Sequence, residues 1–336
     1  MTNGARASVI CLVDRRDMMA ARLAGTRWSR WRAAPIAADA SARRYARLMS
    51  DDGEAVIMMD APPSAGESTH SFAKMTQFLR LRDLAAPEIL LHDSALGLMV
   101  IEDLGQTDFA RHLSDHPQDA AVLYEAATAC LIHLDGQSAP AELSRLDPAT
   151  AGKMVDITAE WYCDGINGNV LSRAITQHMK AIAPDADTIA LRDFHAENLI
   201  WRSDKSGLHK VGLLDYQDAF IAPAGYDLAS LLHDVRRDVD PDLVQHLVTH
   251  FAKATNRDPE QFAAQFALLS AQRNLRILGV FARLILRDDK MKYAAFVPRV
   301  WAHIQTALAH PELAELARTV YGTLPPPDQS HLKDAL

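Results

Sequence analysis

The stretch LRDFHAENLIW, residues 191–201, decides the fold class of this 336-residue chain. Asp193 stands five residues before Asn198, and the segment then runs directly into apolar, strand-like residues. A second strand-like run, KVGLLD, ends at Asp215, and the RSDKSG between the two runs is rich in turn residues. Folded as an antiparallel hairpin, these runs are expected to bring Asn198 and Asp215 together, with Asp193 one short loop earlier.

Three oxygen-bearing side chains in this arrangement suit phosphoryl transfer. Mg²⁺ is a hard cation that uses one or two carboxylates together with substrate phosphates. An aspartate that lies near the metal without binding it can accept the proton of a hydroxyl nucleophile. The offsets match the kinase loop H-R-D-x-x-x-x-N and its later metal-binding aspartate, with Leu191 in place of the histidine. We therefore predict Asp193 as the catalytic base and Asn198 and Asp215 as Mg²⁺ ligands.

Outside the hairpin, the chain divides into a β-rich part and a helical part. Alternation, turn residues and helical spacing predict these elements of the β-rich part: strands over 44–49 and 55–59 joined by Asp51-Asp52-Gly53, a helix over 68–85, and two strands around 93–97. Helical spacing covers residues 107–180 and 226–321. Prolines 325–327 would stop any helix, so an irregular tail is expected.

The order of these elements predicts an α+β, bilobal, protein-kinase-like fold. A larger, mainly helical C-lobe follows a small β-rich N-lobe, and ATP is expected in the cleft between them. The predicted boundaries are an N-lobe over 14–101, a hinge over 102–106, a C-lobe over 107–321 and a tail over 322–336. The hinge backbone, at Glu102, Asp103 and Leu104, is the expected contact of the adenine.

Composition and charge limit the classes of partner. The chain is 49% hydrophobic and 23% charged, which is ordinary for a globular protein, and its net charge of −8 disfavours nucleic acid. No apolar run approaches the roughly 18 residues of a membrane span, and the N-terminus lacks the apolar core of a signal peptide. The three cysteines fit no metal pattern and indicate a reducing compartment. We expect a cytoplasmic monomer that binds neither nucleic acid nor membrane.

The motifs DFHAEN (193–198), LLDYQDA (213–219) and PAGYDLASLL (223–232) resemble those of the aminoglycoside phosphotransferase-like kinases. Further segments resemble the bacterial anomeric kinases of amino sugars: ADASARRYARL (38–48), MDAPP (59–63), IEDLG (101–105), EWY (160–162) and QRNLRILGVFARL (272–284). Those kinases phosphorylate the C1 hydroxyl of N-acetylmuramate and N-acetylglucosamine in cell-wall recycling. The resemblance implies ATP and Mg²⁺ as cofactors and an amino sugar as substrate.

The resemblance also implies roles for residues around the nucleotide. Asp227 would support the catalytic loop through buried hydrogen bonds, and His195 is expected to support it too, since no second pair of ligands gives a zinc motif. A phosphate-binding lysine is expected on the third strand, where Met58 and Met59 stand. The nucleotide contacts predicted in the covering loop are Ser41, Arg43 and Arg44, and one of these two arginines would supply the missing charge.

The predicted substrate residues are Glu160, Trp161, Tyr162 and Arg273. The two aromatics would stack on the sugar, although they could equally be core residues of a helix. Arg273 and Arg276 would either bind an acidic group of the substrate or pair with carboxylates of nearby helices. Two other functions stay open, a kinase of an aminoglycoside or choline-like substrate and a non-catalytic nucleotide-binding scaffold.

Overall fold

The structure is a computed structural model that describes residues 15–36, 43–66, 68–163, 167–332 and 334–336. The chain forms two compact units. The amino-terminal unit contains the described residues up to Gln106 together with Gly212–Gln217, and the carboxy-terminal unit contains Thr107–Val211 and Asp218–Leu336.

The described residues of the amino-terminal unit form a five-stranded antiparallel sheet in the order β1-β2-β3-β5-β4. The strands are β1 (Arg32–Ile36), β2 (Arg44–Met49), β3 (Ala55–Asp60), β4 (Ile89–Asp93) and β5 (Leu98–Glu102). The predicted turn between β2 and β3 is confirmed, and Gly53 adopts a φ of 87° there, a conformation that favours glycine. The sequence prediction lacks β1, a largely exposed edge strand that contains Pro35.

Two helices accompany this sheet, α1 over residues 15–23 and α2 (His70–Arg80). The helical spacing seen in the sequence is confirmed in α2, which buries Phe72, Met75, Phe78 and Leu79 along one side. Leu48, Val56, Leu98 and Val100 form a core cluster with Leu23 and Trp28.

The carboxy-terminal unit is mainly helical. Its helices are α3 (Phe109–Asp115), α4 (Ala120–Asp135), α5 (Pro148–Lys153), α6 (Asp156–Trp161), α7 (Gly168–Ile182), α8 (Tyr226–Leu232), α9 (Pro241–Ala254), α10 (Pro259–Leu286), α11 (Val297–Leu308) and α12 (Ala314–Thr323). Aspartates cap several of them; Asp258, for example, accepts hydrogen bonds from the first turn of α10. The long α10 packs against α6, α8, α9 and α11, so it forms the centre of this unit.

Two short sheets flank the segment that carries Asp193. Strand β6 (Thr188–Ala190) pairs antiparallel with β9 (Phe220–Ala222), and β7 (Leu199–Trp201) pairs with β8 (Val211–Leu213). The predicted hairpin is therefore confirmed, and its turn is closed by the Arg202 N–H, which donates to the Lys210 carbonyl at 2.9 Å. The loop of residues 191–198 thus begins at one strand and ends at another.

The predicted α+β fold class is confirmed, with the sheet in one unit and most helices in the other. Within the described part of the chain, every helix is too short or too polar to span a membrane.

Candidate active site

The loop of residues 191–198 is held by a buried carboxylate from α8. Asp227, in the first turn of that helix, accepts hydrogen bonds from the backbone N–H groups of Leu191 and Arg192, at 2.5 and 3.0 Å. Burial raises the pKa of Asp227 to about 7, although the two N–H groups and the nearby Arg273 act in the opposite direction. The carboxylate of Asp227 therefore stabilises the backbone of the loop and does not face a ligand.

Arg192 has a strained backbone that a second side chain stabilises. Its φ of 78° lies in the left-handed region, which is unfavourable for an arginine. The guanidinium of Arg273 donates to the Arg192 carbonyl at 3.2 Å and to the Ser230 hydroxyl at 2.6 Å, and it lies over the Tyr226 ring at 4.7 Å. Arg273, predicted to bind substrate or pair with a carboxylate, thus contacts the loop of residues 191–198 directly.

His195 and Asn198 complete the loop around Asp193. The Asn198 Nδ2 donates to the Asp193 carbonyl at 2.9 Å and lies 3.2 Å from His195 Nε2, which is the acceptor in that contact. Burial lowers the pKa of His195, and this keeps the ring neutral, as an accepting nitrogen requires. The structure therefore brings Asp193, His195 and Asn198 together in one loop.

Two supporting residues were not found from the sequence. Arg236 forms an ion pair with Glu197 of the loop at 2.9 Å, and Ser230 receives the hydrogen bond from Arg273. Ser230 lies three residues after Asp227, a spacing that places both on one side of α8, so the helical period could have indicated it. Nothing in the sequence near Arg236 indicates its contact.

Asp215 belongs to the amino-terminal unit, where its neighbours hold it. The Leu213 N–H donates to the Ala85 carbonyl at 2.9 Å. The hydroxyls of Tyr216 and Thr76 lie 2.7 Å apart. Asp215 itself has a φ of 58°, which aspartate tolerates, and its exposed carboxylate accepts a hydrogen bond from Gln217 at 2.6 Å.

The predicted nucleotide residues that the structure describes all lie in the amino-terminal unit, whereas Ser41 lies outside the described residues. Arg43 donates to the Ser68 carbonyl at 3.4 Å, and Arg44 is exposed at the start of β2. Met58 and Met59 occupy β3, and Met59 is fully buried, so these two residues add no charge to this strand.

The carboxylates of the predicted hinge, Glu102 and Asp103, already interact with arginines. Glu102 lies 3.5 Å from the Arg80 guanidinium, and Asp103 is bound by Arg47 at 2.5 Å. The Glu102 N–H donates to the Glu88 carbonyl at 2.8 Å. Contacts with an adenine at this segment would therefore come from other backbone groups, such as those of Leu104, rather than from acidic side chains.

The predicted sugar-stacking residues lie at the end of α6 and differ in exposure. Glu160 is exposed and Trp161 is half-buried. Tyr162, in contrast, is fully buried, donates its hydroxyl to the Pro325 carbonyl at 3.0 Å and stacks on Trp301. The prediction of Tyr162 as a substrate residue is therefore wrong, because the chain around residue 325 covers this ring and makes it a core aromatic.

The donor atoms of Asn198 and Asp215 suit Mg²⁺. The amide nitrogen of Asn198 is held by the loop, so its ligand atom would be the oxygen, and Asp215 offers a carboxylate. Both are hard oxygen donors, which Mg²⁺ prefers. Among the described residues, no group of three or more His, Cys, Asp or Glu side chains could hold a metal.

The fold matches solved kinases of small molecules. A choline/ethanolamine kinase family protein from Mesorhizobium loti has a TM-score of 0.60 at 14% identity, covering 91% of this chain and 99% of that one. Amicoumacin kinase hAmiN, solved in complex with AMP-PNP, Ca²⁺ and Ami, has a TM-score of 0.58 at 16% identity, covering 82% of this chain and 88% of that one. The predicted kinase-like fold is thereby confirmed.

The fold and the supported D-x-H-x-x-N loop define a phosphotransferase that acts on a hydroxyl group. The phosphotransferase enzyme family, APH, matches residues 32–265, and the chain belongs to that family. A relative from Caulobacter vibrioides, named N-acetylmuramate/N-acetylglucosamine kinase, is 33% identical over 90% of this chain and 95% of its own. The family expected from the motifs is therefore confirmed.

Proposed function

We propose that this protein is an ATP-dependent kinase that phosphorylates the anomeric C1 hydroxyl of N-acetylmuramate or N-acetylglucosamine, in peptidoglycan recycling. The observation that carries the sugar assignment is the similarity to the Caulobacter vibrioides kinase, which extends over nearly the whole of both chains. The nucleotide analogue bound by the structurally similar amicoumacin kinase supports ATP as the donor. Use of ATP is the reason for proposing a cytoplasmic location.

In this proposal Asp193 is the catalytic base. Its carboxylate accepts the proton of the C1 hydroxyl as the hydroxyl oxygen attacks the γ-phosphorus of ATP and ADP leaves. Because Asp227 and Arg273 hold the backbone on its N-terminal side, the carboxylate is oriented before the substrate binds. Asn198 and Asp215 would hold Mg²⁺, which when bound neutralises charge on the phosphates.

The remaining roles in the proposal follow from exposure and charge. Arg43 or Arg44 would bind phosphate in place of the missing lysine, and hinge backbone groups over 102–106 would bind adenine. At the end of α6, Glu160 would accept a hydrogen bond from a sugar hydroxyl, and Trp161 would offer an apolar face to the ring.

Charge near the catalytic loop favours a sugar over an aminoglycoside or choline. Cationic substrates are recognised by an excess of acidic groups. Around this loop, however, the acidic residues Asp193, Glu197, Asp227 and Asp234 are balanced by four arginines of the carboxy-terminal unit: Arg192, Arg236, Arg273 and Arg276. A non-catalytic scaffold would not need a supported aspartate on such a loop. These observations rank both alternatives below the amino-sugar kinase.

The test is an ATP-consumption assay with N-acetylmuramate, N-acetylglucosamine and an aminoglycoside measured side by side. We expect turnover with one or both sugars, and ³¹P NMR of the product should show a phosphate on C1. Loss of reducing-end reactivity provides a second measure of the acceptor hydroxyl. Turnover with the aminoglycoside alone, or phosphate on another hydroxyl, would contradict the proposal.

A further inference from the structure

A second arginine lies one helical turn beyond Arg273 and makes no hydrogen bond with the residues that the structure describes. Arg276 follows Arg273 by three residues on α10, so the two guanidinium groups leave the same side of the helix. Arg276 is half-buried and lies within electrostatic reach of Asp193, Arg192 and Tyr226. Since Arg273 contacts the Arg192 carbonyl, Arg276 is a cation on the side of α10 that faces the loop of the proposed base.

The two arginines differ in how their donors are used. Arg273 donates to the Arg192 carbonyl and the Ser230 hydroxyl. For Arg276, the described part of the chain contains no hydrogen-bond partner and no carboxylate within ion-pair distance. A guanidinium carries five N–H donors in a planar fork that matches a carboxylate. Arg276 thus has its donors available for a ligand.

The surroundings of Arg276 are unfavourable for a cation in the absence of a ligand. Burial lowers the pKa of the Arg276 guanidinium, and the neighbouring Arg192 and Arg273 lower it further, against Tyr226 and Asp193, which act in the other direction. A partly buried charge among like charges is costly unless an anion pairs with it. An anionic group of a bound substrate would supply that pairing.

The position of Arg276 relative to Asp193 indicates which anionic group of the substrate it would bind. The C1 hydroxyl must approach Asp193, and an anionic substituent on the same sugar ring would then lie within reach of a neighbouring side chain. N-acetylmuramate carries a lactyl carboxylate on C3, two ring positions from C1, whereas N-acetylglucosamine has a neutral hydroxyl there. The two sugars otherwise share the ring, the acetamido group and the anomeric hydroxyl.

We propose that Arg276 binds the lactyl carboxylate of N-acetylmuramate and so sets the preference for the acidic over the neutral amino sugar. The inference rests on the proposed function, since it assumes that Asp193 receives the proton of the C1 hydroxyl. It assigns to Arg276 a role in specificity that is separate from the support of the loop by Arg273.

The test compares kcat/KM for N-acetylmuramate, its methyl ester and N-acetylglucosamine in the wild type and in Arg276→Gln. In the variant we expect kcat/KM for N-acetylmuramate to fall by about 10- to 100-fold, mostly through KM, as for loss of a hydrogen-bonded charge. The values for the uncharged methyl ester and for N-acetylglucosamine should fall by much less, because neither carries the carboxylate that Arg276 binds.

Two further variants serve as controls. Arg276→Lys keeps the charge without the planar fork, so its preference should lie between those of the wild type and Arg276→Gln. If Arg276→Gln does not fold, the substrate preference of Arg276→Lys still tests the proposal. Arg145→Gln removes an exposed arginine of the same unit, which donates to the Ala186 carbonyl at 2.5 Å, and should leave the preference unchanged.

The possible outcomes distinguish a failure of the role of Arg276 from a failure of the proposed function. Equal losses on all three sugars, or no change in their ratio, would overturn the specificity role of Arg276 while leaving an amino-sugar kinase in place. A wild type that phosphorylates none of these sugars would overturn the proposed function, and the assignment of Arg276 with it.

Discussion

At the scale of single residues, the orientation of Asp193 depends on groups outside the D-x-H-x-x-N motif. Asp227 and Arg273 hold the backbone of Arg192, whose left-handed φ of 78° would be unfavourable without those contacts. This hydrogen bonding keeps the carboxylate of the next residue in one position. Catalysis by positioning requires such support, because small displacements of a reacting group reduce the rate strongly.

Replacing the proposed base by its isostere tests that role directly. Asp193→Asn keeps the shape of the side chain but cannot accept the proton, so turnover should fall by about 10²- to 10⁴-fold. ATP binding should be retained, and we expect ATP with Mg²⁺ to raise the Tm of the variant and of the wild type alike. Initial rates and thermal unfolding with and without nucleotide provide the two measurements.

The control for this variant is Asp204→Asn in the hairpin turn, where the exposed Asp204 pairs only with its neighbour Lys205 among the described residues. We expect wild-type turnover from it. An Asp193→Asn enzyme that keeps most of its activity would mean that another group takes the proton.

Residues close in sequence were predictable, and residues brought together by long-range packing were not. The five-residue spacing from Asp193 to Asn198 is local, so the sequence indicates their shared loop. The contact between Arg273 and Arg192 joins residues 81 apart and depends on where α10 packs. For Tyr162, helical spacing alone could not distinguish a ligand-facing side from one covered by the chain around Pro325.

At the scale of elements, close packing of α6 on α10 positions the proposed sugar residues. Gly279 is a point of close approach, because a Cβ there would lie 2.5 Å from the backbone nitrogen of Thr158. The Thr158 hydroxyl also donates to the Leu275 carbonyl at 2.5 Å. Glu160 and Trp161 follow Thr158 within α6, so their positions depend on this contact.

Gly279→Ala should therefore destabilise the protein although alanine favours a helix. The added methyl group would push α6 away from α10, and such overpacking typically costs about 1–3 kcal/mol, which exceeds the gain of about 1 kcal/mol in helix propensity. The midpoint of urea unfolding should fall, and the KM for the sugar should rise as Glu160 and Trp161 move.

Gly322→Ala in α12 is the matched control, because nothing lies within 4 Å of the added Cβ. That variant should be neutral or more stable, with an unchanged KM. If both substitutions changed the unfolding midpoint in the same direction, the proposed contact between α6 and α10 would not determine stability.

At the scale of the whole molecule, the net charge does not describe how charges are distributed around the loop of residues 191–198. The chain carries −8 overall, yet four arginines lie on or beside the loop of residues 191–198, among carboxylates that include Asp193 and Glu197. The order of the elements predicts the fold class correctly, and composition disfavours nucleic acid, but neither reports which charged residues lie close together. The same holds for buried titratable groups, since their burial follows from the packing of distant helices.

His233 is such a group, and it should make the stability of the molecule depend on pH. It is buried at the end of α8, hydrogen-bonded to Ser270 and stacked on His303 at 4.9 Å. Burial, followed by the charge of His303, lowers the pKa of His233 to about 3. The folded protein therefore keeps this ring neutral under conditions in which the unfolded chain binds a proton.

The direction of this pH dependence follows from the lower pKa of His233 in the folded protein than in the unfolded chain. The stabilisation is fully present above the unfolded pKa of about 6.5 and is lost as the pH falls from there toward 3. At about 1.4 kcal/mol per pH unit, the free energy of unfolding should fall by about 2 kcal/mol between pH 6.5 and 5 from this residue alone.

His233→Gln, which can still hydrogen-bond to Ser270 but does not titrate, should flatten that slope while lowering stability at pH 7. His250→Gln removes an exposed histidine of the same unit and should retain the wild-type slope in urea titrations across this range. Equal slopes for the wild type and His233→Gln would show that the buried ring is not what makes the protein sensitive to acid.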